Sequence, residues 1–230
     1  MMFQKCFSIA LLLAIALQAS AQVPAHQSKR ASLRQQSKIA SEQQIKELHN
    51  GALLVRLRTR SNSINALRKA GKDWAADKIA ERQALRNYEI VQAFRNHFDF
   101  CPVYFFFSND SRSVAEQQFD EVQFLNDTLG HDPSISFDGG AYLTAEFANI
   151  EQDTMQRFSH YSTSTANNRS ARYYGGPNFG FGALIIKSKQ FAQLRDPFPY
   201  YVRTYDSLPI KRSVDTVVKV MNQKLHRYHH

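Results

Sequence analysis

A chain of 230 residues, 43% of them hydrophobic, suits one packed domain or one domain with a tail. Its 29 Lys and Arg stand against 20 Asp and Glu, a formal charge of +9 that favours anionic partners: nucleic acid, lipopolysaccharide, acidic glycan or phosphate. Two cysteines, Cys6 and Cys101, exclude a disulfide framework and a C-x-x-C redox pair.

The chain begins as a secretory signal would. Lys5 precedes an unbroken apolar run from Phe7 to Leu17, and Ala19-Ser20-Ala21 supplies small residues for cleavage before Gln22. The run is too short to span a bilayer, and nothing later is as apolar, so no membrane anchor is expected. Export to the periplasm or the exterior follows. Lys5 and Cys6 leave with the signal. That lowers the charge by one unit and leaves Cys101 as a single thiol, read as a buried core residue at a strand start. A monomer without a disulfide is expected.

Residues 22–40 are polar and basic and read as a flexible leader. Ser41 with Gln44 forms a capping-box pattern, opening a short helix that Asn50-Gly51 stops. Gly51 to Leu57 is a first strand. A helix follows from about Ile64 to Ala70, and Gly71 interrupts it. Asp73 to Phe98 is the strongest helix, with Ala76, Ile79, Ala80, Ala84, Val91, Phe94 and Phe98 near one face. Val103 to Phe107 is apolar at every position, the pattern of a central strand buried on both faces. Ser113 with Glu116 suggests a second capping box, for a helix to about Asp120. Further strands are expected at 122–125, 141–150, 182–187 and 200–204, and an amphipathic helix from Ser213 to about Tyr228. This order specifies an α/β (or α+β) single domain over 41–228, with a mixed five- to six-stranded sheet flanked by helices. The long helix between the first two strands makes them parallel neighbours.

Named catalytic signatures are missing: no G-x-S-x-G, H-E-x-x-H, phosphate-binding G-x-x-x-x-G-K-[ST] or zinc spacing occurs. No cofactor or metal is expected. His131, Asp132 and Asp138 fit no recognised metal spacing, and the terminal His226, His229 and His230 suggest adventitious metal binding at most. The glycine-rich run from Gly175 to Gly182, with Arg169, Arg172, Tyr173 and Tyr174 before it, reads as a turn or as a grip on an anionic or aromatic ligand.

The clearest positive signal is a repeated arrangement. The first strand runs into Arg58-Thr59-Arg60-Ser61-Asn62-Ser63 and a helix; the second runs into Ser108-Asn109-Asp110-Ser111-Arg112-Ser113 and a helix. If the strands are parallel, both loops lie at one sheet edge, where open α/β sheets bind ligands and helix N-termini favour anions. Arg58, Arg60, Ser61, Asn62, Ser63, Ser108, Asn109 and Ser111 are therefore the candidate ligand-binding residues. Asp110 is the awkward member unless it turns away or pairs with Arg58 or Arg60. A phosphate- or carboxylate-bearing small molecule or glycan is the expected partner; nucleic acid is not. The alternatives are an enzyme with a convergent site for a phosphorylated or acidic substrate, and a component of an envelope or secretion complex.

Asp127-Thr128-Leu129, Asp153-Thr154-Met155, Asp206-Ser207-Leu208 and Asp215-Thr216-Val217 resemble the O-glycosylation sequon of Bacteroidota secreted proteins. The segments GALLVRLRTRSNSINALRKAG and FRNHFDFCPVYFFFSNDS are similar to a group of exported Bacteroidota proteins. That similarity covers about Ser41 to Ser111 and implies location and a continuous fold, without an activity.

Overall fold

The computed structural model describes residues 25–151, 182–205 and 211–230. The expected signal, the run 175–181 with the Arg and Tyr residues before it, and the Asp153 and Asp206 sequons lie outside the described residues. The chain forms two compact units, Met1–Ala40 and Ser41–His230. The second unit is an α/β domain built on a mixed six-stranded sheet.

In chain order the elements are α1 (Ala25–His49), β1 (Ala52–Leu57), α2 (Ser61–Lys69), α3 (Asp73–His97) and β2 (Val103–Phe107). A 3-10 turn at Ser108–Asp110 leads into the one-turn helix α4 (Ser111–Ala115). Then come β3 (Phe124–Leu125), β4 (Tyr142–Asn149), β5 (Gly182–Lys187), β6 (Tyr201–Arg203) and α5 (Val214–His229). The sheet order is β3-β2-β1-β4-β5-β6. β1 runs parallel to both β2 and β4, with Val55 beside Phe105 on one side and Ala145 on the other. β3, β5 and β6 join antiparallel.

Strand alternation divides the sheet into two faces. Leu53, Val55, Leu57, Phe105, Ala145, Leu184 and Ile186 enter the main core with Val91 and Phe94 of α3 and Val217, Met221 and Leu225 of α5. Ala52, Leu54, Phe106 and Tyr142 enter a smaller cluster with Val114 of α4, Val122 and Phe124. Gly51 is required where α1 turns into β1, because a Cβ there would run into the Ala141 carbonyl. Gly71 supplies the left-handed residue between α2 and α3, at φ 68°.

Four expectations are corrected. The helix expected from Ser41 begins at Ala25. No Gly or Pro interrupts Ala25–His49, and its Ala, Gln, Lys, Arg and Glu are good helix formers although residues 32–40 are all exposed. β1 and β4, not β2, are the middle strands: β2 is internal and buried on both faces as expected, but has only the two-residue β3 beyond it. β2 is apolar throughout because Phe105 packs on one face and Phe106 on the other. Ser113 caps nothing: α4 starts at Ser111 and lasts five residues, and Ser113 Oγ donates to Glu121. Ala84 is exposed, while Asn87 and Ile90 take the buried stripe of α3.

Cys101 is buried as expected, and burial pushes its thiol pKa up to about 12. No helix of the described residues is long and apolar enough to cross a membrane.

Candidate functional site

The two strand-end loops meet. Because β1 and β2 are parallel and in register, Leu57 lies beside Phe107 and both chains leave the sheet together. Thr59 N–H donates to Ser108 Oγ at 3.2 Å, and Thr59 Oγ1 donates to Asn109 Oδ1 at 2.9 Å. Ser61 Oγ donates to Thr59 Oγ1, and Ser111 Oγ to the Ser108 carbonyl. Asn62 and Ser63 lie exposed in the first turn of α2. Asp110 turns away from the arginines and accepts from Gln123 N–H. The hydroxyl residues therefore close on one another and latch β1 to β2.

The arginines lie on the other side of β1. Arg58 and Arg60 line a cavity of about 210 Å³ with Arg56, Gln83, Arg86 and Asn87, together with Phe147 to Asn149 of β4 and Gly182 of β5. Its position follows from the topology. The chain passes from β1 to β2 through α3, over the main-core face. It returns from β2 to β4, beyond β1, through α4 and the 122–137 segment on the other face. The sheet order thus reverses between β1 and β4, and the crevice at the carboxyl ends of such a pair is where open α/β sheets take ligands.

A relay of amides presents the arginines. Asn87 is buried among apolar side chains of α3, and its Nδ2 donates to the Arg58 carbonyl at 2.9 Å. Gln83 Nε2 donates to Asn87 Oδ1 at 2.9 Å, and Arg60 Nε donates to Gln83 Oε1 at 3.0 Å. Arg60 itself holds a left-handed backbone, φ 53°, as the residue before α2. The long helix thereby fixes both the backbone at Arg58 and the side chain of Arg60. Arg86 lies with its guanidinium carbon 5.3 Å from the Phe147 ring centroid and reaches Glu89 at 3.3 Å.

The four arginines are not equivalent. Arg56 Nη1 binds Glu146 at 2.9 Å, and Glu146 also accepts from Lys187 at 2.9 Å. Arg56 is therefore neutralised within the sheet. Arg86 is partly neutralised by Glu89. Among the described residues, Arg58 and Arg60 make no ion pair with a carboxylate, and no carboxylate lines the cavity. Two full positive charges thus converge on a space fitted to a small anionic group, with amides as further donors.

Sequence reasoning missed Gln83, Arg86, Asn87 and Phe147. Asn87 carried a readable signal: it is polar on a helix stripe shared with Val91 and Phe94, a position that needs a hydrogen-bond partner when buried. His131 and Asp132 serve the turn after β3, bonding to Phe124 and Ser134. No group of three metal-ligating side chains occurs among the described residues. Comparison of the chain with protein-family models, curated proteins and solved structures gives no match.

Proposed function

We propose that the chain is an exported binding protein for a carboxylate- or phosphate-bearing ligand, held in the cavity between the ends of β1 and β4. The observation that carries this reading is the pair Arg58 and Arg60, uncompensated by any lining carboxylate among the described residues and fixed through Asn87 and Gln83. The described lining offers guanidinium groups, amides, apolar side chains and Thr204, whose hydroxyl donates to the Gly182 carbonyl, and holds no carboxylate, histidine or cysteine to serve as a base. That chemistry supports binding in preference to turnover. The signal-like first 21 residues and the resemblance over Ser41 to Ser111 support export to the periplasm or the exterior.

Calorimetric titration with inorganic phosphate and with glucuronate tests the reading. At least one should bind wild type stoichiometrically. Arg60→Gln should weaken that binding by about tenfold, the range of one charge-assisted contact. Arg58→Gln should do the same, while Arg112→Gln, outside the cavity and paired with Glu116, should leave it unchanged. Equal binding by wild type and the Arg60 variant would return these arginines to ordinary surface charge.

A further inference from the structure

The arginine cavity is one end of a longer trough. Arg60, Gln83 and Arg86 also line a second cavity of about 540 Å³. Arg86, Glu89 and Lys211 carry that cavity into a third, of about 500 Å³, beside Tyr88, Gln92, Arg212 and the start of α5. The trough follows α3 from Ile79 to Gln92, which spans about 20 Å at the helical rise. Along it stand Arg58, Arg60, Arg82, Arg86, Lys211 and Arg212, against the carboxylates Glu89 and Asp215. One carboxylate or phosphate can engage only one end of such a row. The spacing calls for repeated negative charge on an extended ligand.

We infer that the trough binds a linear acidic polysaccharide, with the cavity between β1 and β4 holding one of its charged units. This rests on the proposed anion site and adds the polymer to it. The rest of the lining favours a sugar chain. Glu89, Asp215 and the carbonyl oxygens of Gln83 and Gln92 accept hydrogen bonds, which sugar hydroxyls can donate. Tyr88, 47% exposed, offers a ring face for the apolar side of a sugar. A single-stranded nucleic acid would need rings on which successive bases stack, and Tyr88 is the one aromatic side chain in the described lining of the second and third cavities.

Calorimetry at fixed salt tests the inference with three probes: glucuronate, linear oligouronates of increasing length, and a single-stranded oligodeoxynucleotide matched in charge. Affinity should rise by about tenfold or more from monomer to the longer oligouronates. The double variant Arg82→Gln/Arg212→Gln should lose that gain while keeping the affinity for glucuronate. Its circular dichroism should match wild type, and if it misfolds the wild-type length series alone decides. Glucuronate binding without a gain in length overturns the polymer and leaves the anion site standing. A length gain that survives in the folded double variant overturns the placement on α3. Tighter binding of the oligonucleotide overturns the polysaccharide. No binding of any probe overturns the polymer, and the anion site falls with it if inorganic phosphate also fails to bind.

Discussion

The two faces of the sheet solve different problems with the same strands. On the main-core face, β1, β4 and β5 pack apolar side chains against α3 and α5, among them Leu57, Ala145, Leu184 and Ile186. On the opposite face the same three strands bring together Arg56, Glu146 and Lys187, with Glu151 3.4 Å from Lys187. Glu146 keeps 4% of its side-chain surface, Lys187 9% and Arg56 29%. One face is held by burial; the other adds to its smaller apolar cluster a charge network that is costly to desolvate and costlier to break. The network also compensates Arg56, which lines the neighbouring cavity, and leaves Arg58 and Arg60 as the lining arginines without a carboxylate partner among the described residues.

The largest effect should come from breaking the network. Glu146→Ala takes the carboxylate from Arg56 and leaves Lys187 only the exposed Glu151, and should lower the unfolding free energy by about 3 kcal/mol, at the low end for a broken buried pair because Arg56 retains some solvent and Lys187 retains Glu151. Replacing the three together, Arg56→Met, Glu146→Leu and Lys187→Met, should cost far less, and chemical denaturation compares the two. An equal loss in both would show that this face, too, is held by packing alone. On the other face, Leu57→Ala should cost about 2–5 kcal/mol, as expected for a fully buried leucine, with no dependence on salt.

The latch between the strand ends should be worth less. Ser108→Ala removes the acceptor for Thr59 N–H and should cost about 1 kcal/mol. Ser213→Ala should cost a similar amount, about 1 kcal/mol, because Ser213 Oγ accepts from Thr216 N–H at the start of α5. If Ser108→Ala also weakens anion binding as much as Arg60→Gln does, the latch belongs to the site and not only to the fold.

Acidity should act through groups at the α1–α5 end. Burial and the neighbouring His49, His230, His226 and Lys46 push the His229 pKa below 6.5, so the unfolded chain takes up that proton first and stability falls as pH drops below 6.5. Hydrogen bonds from Asn222 and His226 hold Asp99 below 3.8, which adds a further loss below that pH. The sign reverses for Cys101: the unfolded thiol ionises near 9 and the buried one only at about 12, so stability also falls above pH 9. Denaturation midpoints should therefore plateau between about 6.5 and 9, and replacing His229 with Gln should flatten the first acid step.

The parallel pairing of β1 and β2 was legible because a single long amphipathic helix joins two apolar runs, and the apposition of Thr59 with Ser108 and Asn109 follows from it. The cavity was not legible. It is made where β4, far along the chain, pairs with the free side of β1, and no local pattern announces which side of a strand a distant partner will take. Arg86 and Gln83 sit on a helix flank that looks like ordinary solvated surface until Phe147 arrives beside it. The network left a fainter trace: Arg56, Glu146 and Lys187 are lone charges within three otherwise largely apolar strands, each needing a partner that only the register supplies. The exposed run 32–40 of α1 was hidden for the opposite reason, since it shows no buried face.

The most direct test of the central claim is a magnetic-resonance titration of the isotopically labelled protein with inorganic phosphate and with glucuronate, followed at backbone and arginine side-chain signals. The account predicts saturable shifts confined to Arg58, Arg60, Gln83, Arg86, Asn87 and the end of β4, all on one binding curve. Shifts spread evenly over the basic surface, without saturation, would contradict it.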